Sequence, residues 1–131
     1  MNFRYLLLSL LLAALIVFLS SMPDQSFPRD VLVIKQIIYN LAHVPAYGLL
    51  AFLWLKSFPE TKPGKKHFTV TLLMVAGLVL FAISDEIHQS FVPGRTSSYA
   101  DIGLDVIGIS LGFAASKLNL RCFSSRLSGK R

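Results

Sequence analysis

Four apolar runs, at residues 5–19, 37–55, 68–83 and 102–118, leave this chain few folds to choose from. Inside lipid no water satisfies a backbone N–H or C=O, so each spanning segment must close its own hydrogen bonds as a helix or join a closed barrel. Runs of this length and continuity read as helices. As a helix, residues 3–21 rise roughly 28 Å, close to a hydrocarbon core of about 30 Å. Charged residues make up only 15% of the 131-residue chain, against about 25% in a soluble domain. The expectation is all-α: one integral membrane bundle of four transmembrane helices, residues 1–120, with a basic cytoplasmic tail at 121–131.

Two other readings of the composition are weaker. The net charge of +6 raises nucleic acid as a partner. The basic residues, however, lie in loops and tails between apolar runs, where membrane topology puts them, so no nucleic acid is expected. The first run could be a cleaved signal peptide. Cuts after Ser20, Ser21 or Met22 place Phe18, Leu19 or Ser20 at the position three residues upstream of the cut, which favours an uncleaved anchor. The lone Cys122 permits no internal disulfide.

The polar residues inside and beside the apolar runs are the informative ones. In the second run Gln36, Asn40, His43 and Tyr47 share one helical stripe, and Pro45 removes a helical hydrogen bond beside His43. The third run ends in SDEIHQ, with Asp85, Glu86, His88 and Gln89. Pro93-Gly94 predicts a turn with Gly at positive φ, followed by Arg95. The fourth run opens with Asp101 and Asp105, then Gly108 and Gly112 in a GxxxG, a pattern that lets another helix approach closely. Polar groups this dense at the edge of hydrocarbon mark a functional site by default.

Charge gives a topology. Cytoplasmic segments are rich in Lys and Arg. With both termini inside, the inner side carries ten basic residues against Glu60 alone, and the outer side carries six acids against Arg29, Lys35 and Arg95. In that arrangement His43 lies roughly 9 Å below the outer end of its helix. The third and fourth helices then deliver Asp85, Glu86, His88, Asp101 and Asp105 to the same level, predicting a polar pocket at the extracytoplasmic side.

The stretch SDEIHQSFVPGRTSSYADIGLDVIG resembles the VanZ-like membrane proteins. Their DE-x-x-Q, F-x-P-x-R and D-x-x-x-[ND]-x-x-G pattern falls on Asp85, Glu86, Gln89, Phe91, Pro93, Arg95, Asp101, Asp105 and Gly108. Their H-x-x-x-Y-x-x-L matches His43, Tyr47 and Leu50, and their Ser-x-Pro matches Ser21 and Pro23. Where the family often has Asp-Lys before the second-helix His, this chain has Tyr39-Asn40. The resemblance implies a multi-pass protein of the bacterial cytoplasmic (inner) membrane, in a family whose namesake is associated with resistance to the glycopeptide teicoplanin. It implies no established reaction.

The residues leave three readings open. In the first, the pocket binds a phospholipid head group, a lipid-linked cell-wall precursor or a related anionic ligand, held by His43, Tyr47, Asp85, Gln89, Arg95, Asp101 and Asp105. In the second, an intramembrane hydrolase or transferase acts on a phosphorylated lipid, with Glu86 and His88 as acid and base. In the third, the polar groups only join helices. Arg95 suits a phosphate or carboxylate, or a salt bridge to Asp101 or Glu86. Asp101 and Asp105 are equally suited to capping the fourth helix. His43, Glu86, His88, Asp101 and Asp105 have metal-ligand chemistry, but with no HExxH and no Cys pair no metal is assigned. No cofactor is specified. The partner expected is the bilayer itself, with oligomerisation left open; the GxxxG reads as packing between helices.

Overall fold

A computed structural model describes the backbone of residues 1–23, 29–58, 65–95 and 98–128, and the side chains of 1–23, 41–58, 67–95 and 98–118. Four helices are described: α1 (Phe3–Ser20), α2 (Arg29–Ser57), α3 (Lys65–Ser90) and α4 (Tyr99–Ser128). No strand is present among the described residues. The side chains of Gln36, Tyr39, Asn40, Cys122 and the basic tail lie outside the described set.

Among the described residues, three segments are long and apolar enough to cross a membrane: Phe3–Ser20, His67–Ser90 and Tyr99–Leu118, with mean hydropathies of 2.3, 2.1 and 1.2. Leu7, Leu8, Leu11, Leu72, Leu73 and Leu80 stay exposed on the bundle surface, as lipid-facing side chains do. Helix α2 packs chiefly on α4 and also on α1, and it buries Tyr47, Leu50, Ala51 and Leu53. Ile16 of α1, Leu78 and Ala82 of α3 and Ile109 of α4 close around Tyr47, Leu50 and Ala51 to form the core. Helix α2 runs unbroken through Pro45.

The α2–α4 seam is made by absent side chains. A Cβ on Gly108 would stand 2.4 Å from the carbonyl oxygen of Val44, and one on Gly112 would stand 2.1 Å from that of Gly48. Gly48 faces the Gly108 carbonyl in return, at 3.2 Å from its own would-be Cβ. The GxxxG thus lets two backbones touch, and that contact fixes the register of α2 on α4.

Contacts at both ends of the bundle set the directions. The Asn2 N–H donates to the Ser57 carbonyl at 2.7 Å, joining the start of α1 to the end of α2. Lys117 of α4 lies 3.3 Å from His67 at the start of α3. At the other end Ser20 meets Asp85, and His43 meets Asp105. Successive helices therefore alternate in direction, and Ser20, His43, Asp85 and Asp105, one from each helix, lie toward the same end.

Candidate functional site

Asp85 is the hub. It is 4% exposed, in the last two turns of α3. Its Oδ2 accepts hydrogen bonds from Ser20 Oγ at 2.9 Å, Gln89 Nε2 at 3.0 Å and Tyr47 OH at 3.3 Å. Asp85 and Gln89 are four residues apart on one helix, where side chains meet. Gln89 uses its second amide proton on Ser20 Oγ at 3.2 Å. Three helices are thus tied through one carboxylate oxygen, while Oδ1 is buried without a partner.

His43 belongs to the same assembly. Its ring stacks on Tyr47, centroids 6.0 Å apart and planes 16° from parallel, and its Nδ1 lies 2.8 Å from Asp105 Oδ1. This pair crosses the glycine seam one turn above Gly108. Asp105 is 1% exposed, and its Oδ2 has no partner.

Glu86 faces another way. Its Oε1 accepts the backbone N–H of Ser98. Ser98 in turn caps α4, its hydroxyl accepting the Ala100 N–H at 3.1 Å. The cap of α4 is therefore Ser98, not Asp101 or Asp105. In a capping box the acidic residue three places on would take the N–H of the cap residue. Here Glu86 takes it from α3, and Asp101 is left buried with an unpartnered Oδ1.

Arg95 follows a tight turn in which Gly94 adopts φ 81° and the Arg95 N–H reaches the Val92 carbonyl at 3.1 Å. Its Nη2 donates to the Leu19 carbonyl at 2.6 Å and its Nε to that of Met22 at 3.4 Å. The guanidinium thereby caps the C-terminus of α1, where cations are favoured. His88 is exposed, with Nε2 at 2.9 Å from Ser21 Oγ. The Ser21 hydroxyl donates its single proton to the Val17 carbonyl at 2.7 Å, so His88 Nε2–H is the donor to Ser21.

His43, Tyr47, Asp85, Gln89 and Arg95 line one cavity of about 110 Å³, with Ser20 and Leu19 on the α1 side. Asp105 supports it from behind through His43. Glu86 lines a different cavity, between α3 and α4. Among the described residues no cluster of three or more His, Cys, Asp or Glu has metal-binding geometry.

A family model described as VanZ/LLP1 matches residues 5–120. The chain belongs to the VanZ/LLP1 family. No curated protein and no solved structure matches it. The VanZ/LLP1 match runs from α1 well into α4, so it takes in every residue of the polar assembly. Together with the three apolar helices, it makes this a VanZ-like membrane protein. Sequence reasoning missed Ser20 and Ser98, which organise Asp85 and Glu86. Ser98 was discoverable, because Ser98-x-x-Asp101 has capping-box spacing.

Across the assembly Asp85, Glu86, Asp101 and Asp105 each leave one buried oxygen without a partner among the described residues. Such an oxygen costs roughly 1–3 kcal/mol. Four of them at one level of a small bundle are hard to account for as structure alone, and unsatisfied groups of this kind concentrate at functional sites.

Proposed function

We propose that this VanZ-like protein is a binding protein of the bacterial envelope. It sits in the cytoplasmic membrane with both termini inside and α2 as the fourth span. Its cavity opens to the extracytoplasmic side and takes the head group of a phospholipid or a lipid-linked cell-wall precursor. The charge asymmetry of the loops supports the orientation, and in that orientation the alternating helices carry the polar assembly to the outer end. At 29 residues, α2 is roughly 44 Å long, enough to span the bilayer. Its His43 and Tyr47 face α4 and α3, through Asp105 and Asp85.

The observation that carries the binding reading is Asp85. Three donors fix its Oδ2, so the carboxylate cannot swing; Asp85 lines the cavity, and its buried Oδ1 has no partner among the described residues. A ligand hydroxyl or amide N–H completes it. Arg95, at the mouth, supplies a cationic edge for a phosphate. A head group combining a phosphate with hydroxyl or amide donors matches both. The alternative, an intramembrane hydrolase or transferase with Glu86 and His88 as acid and base, draws less support. Glu86 is committed to the Ser98 N–H in another cavity, and His88 donates to Ser21 on the surface.

The test compares cells expressing wild type or Asp85→Asn at matched levels. Teicoplanin susceptibility is read beside mass spectrometry of membrane lipids and wall precursors. Binding predicts a susceptibility difference that Asp85→Asn removes, with identical lipid profiles. A lipid species made or consumed only by wild type overturns it in favour of an enzyme.

A further inference from the structure

The seam between α3 and α4 holds two cavities. One, of about 220 Å³, is lined by Glu86, Ile87, Ser90, Ser98, Tyr99 and Ile102. The other, of about 280 Å³, is lined mainly by apolar groups, among them Phe68, Val75, Ile109 and Phe113. Helical register puts them in line. On α3, Phe68, Val75, Glu86 and Ser90 fall on one stripe, and on α4 so do Ile102, Ile109 and Phe113. From Glu86 to Val75 is eleven residues, roughly 16 Å of helix, about half the thickness of a hydrocarbon core.

We propose that this seam is a lipid-binding groove selective for a phospholipid bearing a primary ammonium, with the ammonium at Glu86 and an acyl chain running down to the Val75–Ile109 cavity. It is separate from the cavity around Asp85. Glu86 is 5% exposed, and its Oε2 has no partner among the described residues. Its other oxygen is pinned by the Ser98 N–H, so the free oxygen has a fixed position. The lining of this cavity contains an acid, two serines and a tyrosine but no base. A cation that also donates hydrogen bonds complements it, and such bonds are about twice as strong as neutral ones. Below it the second cavity is lined mainly by apolar side chains, with Thr71 and Ser110 the two hydroxyls, at the depth an acyl chain reaches.

The experiment is native mass spectrometry of the full-length protein in mild detergent. It is equilibrated with equal amounts of ethanolamine, choline and glycerol phospholipids of matched chains. Wild type is expected to retain the ethanolamine lipid about tenfold over the glycerol lipid, with the choline lipid, which has the charge but no donor, ranking near the glycerol one. Glu86→Gln keeps the acceptor for Ser98 and should bring the preference below about threefold. Ile102→Trp fills the head-group cavity without touching Glu86's bond to Ser98 and should lower retention of the ethanolamine lipid to the level of the others. Equal retention of all three lipids by wild type, or a preference unchanged in both variants, overturns the proposal.

Discussion

Replacing Gly112 with Ala tests the seam on which the whole site rests. Its Cβ would stand 2.1 Å from the Gly48 carbonyl oxygen, 2.9 Å from the Gly48 carbonyl carbon and 3.0 Å from the Ala51 Cβ. A comfortable carbon–oxygen contact is about 3.3 Å, so α2 and α4 must part by roughly 1.2 Å. The obstruction is backbone on a packed helix, so no rotamer change relieves it. Overpacking of this kind costs about 1–3 kcal/mol. The consequence reaches further, because the 2.8 Å His43–Asp105 contact crosses the same seam two turns away. A rigid separation of that size takes it beyond hydrogen-bonding range. Gly103→Ala is the control: nothing lies within 4 Å of a Cβ there, and Ala in a helix is favoured over Gly by about 0.5–1 kcal/mol. Equilibrium unfolding in mixed micelles should show Gly112→Ala destabilised by about 1–3 kcal/mol and Gly103→Ala unchanged or slightly stabilised. A Gly112→Ala protein as stable as the control refutes the close-contact account.

Other substitutions separate the roles around the seam. His43→Ala leaves Asp105 buried with neither oxygen paired, whereas Asp105→Asn leaves only a neutral imidazole; His43→Ala should be the more destabilising, by about 3 kcal/mol or more, in the same unfolding assay. Ser98→Ala removes the cap of α4 and should cost about 1 kcal/mol, with faster hydrogen exchange at Ala100. Arg95→Ala frees the Leu19 and Met22 carbonyls and should raise hydrogen exchange and protease cleavage at the end of α1; Arg95→Lys should recover only part of the protection, because a single ammonium lacks the planar fork.

Much of this was legible in the chain because it follows from period and chemistry. Apolar runs gave four helices, though α2 begins at Arg29, well before its apolar run. The Pro93-Gly94 turn and the GxxxG contact follow from glycine's missing side chain. The stripe from His43 to Tyr47 and the Asp85–Gln89 pair follow from helical spacing. What adjacency obscured is direction. Glu86 and His88 read as a pair because they are two residues apart, yet such residues point roughly 200° apart on a helix. Their partners, Ser98 and Ser21, come from other segments that no local pattern links to them. Arg95 also caps α1, because the preceding turn aims it at that helix's open carbonyls, a contact that no local pattern in the sequence announces.

The most direct test of the binding account is a titration of the bilayer-embedded protein with a purified lipid-linked wall precursor, wild type against Asp85→Asn. Asparagine keeps one acceptor oxygen for Ser20, Tyr47 and Gln89 but presents an amide to the cavity in place of Oδ1. Saturable binding by wild type, weakened about tenfold or more in a variant of unchanged stability, is the predicted result. Equal binding by the two proteins, or none by wild type to any precursor or head group, would contradict it.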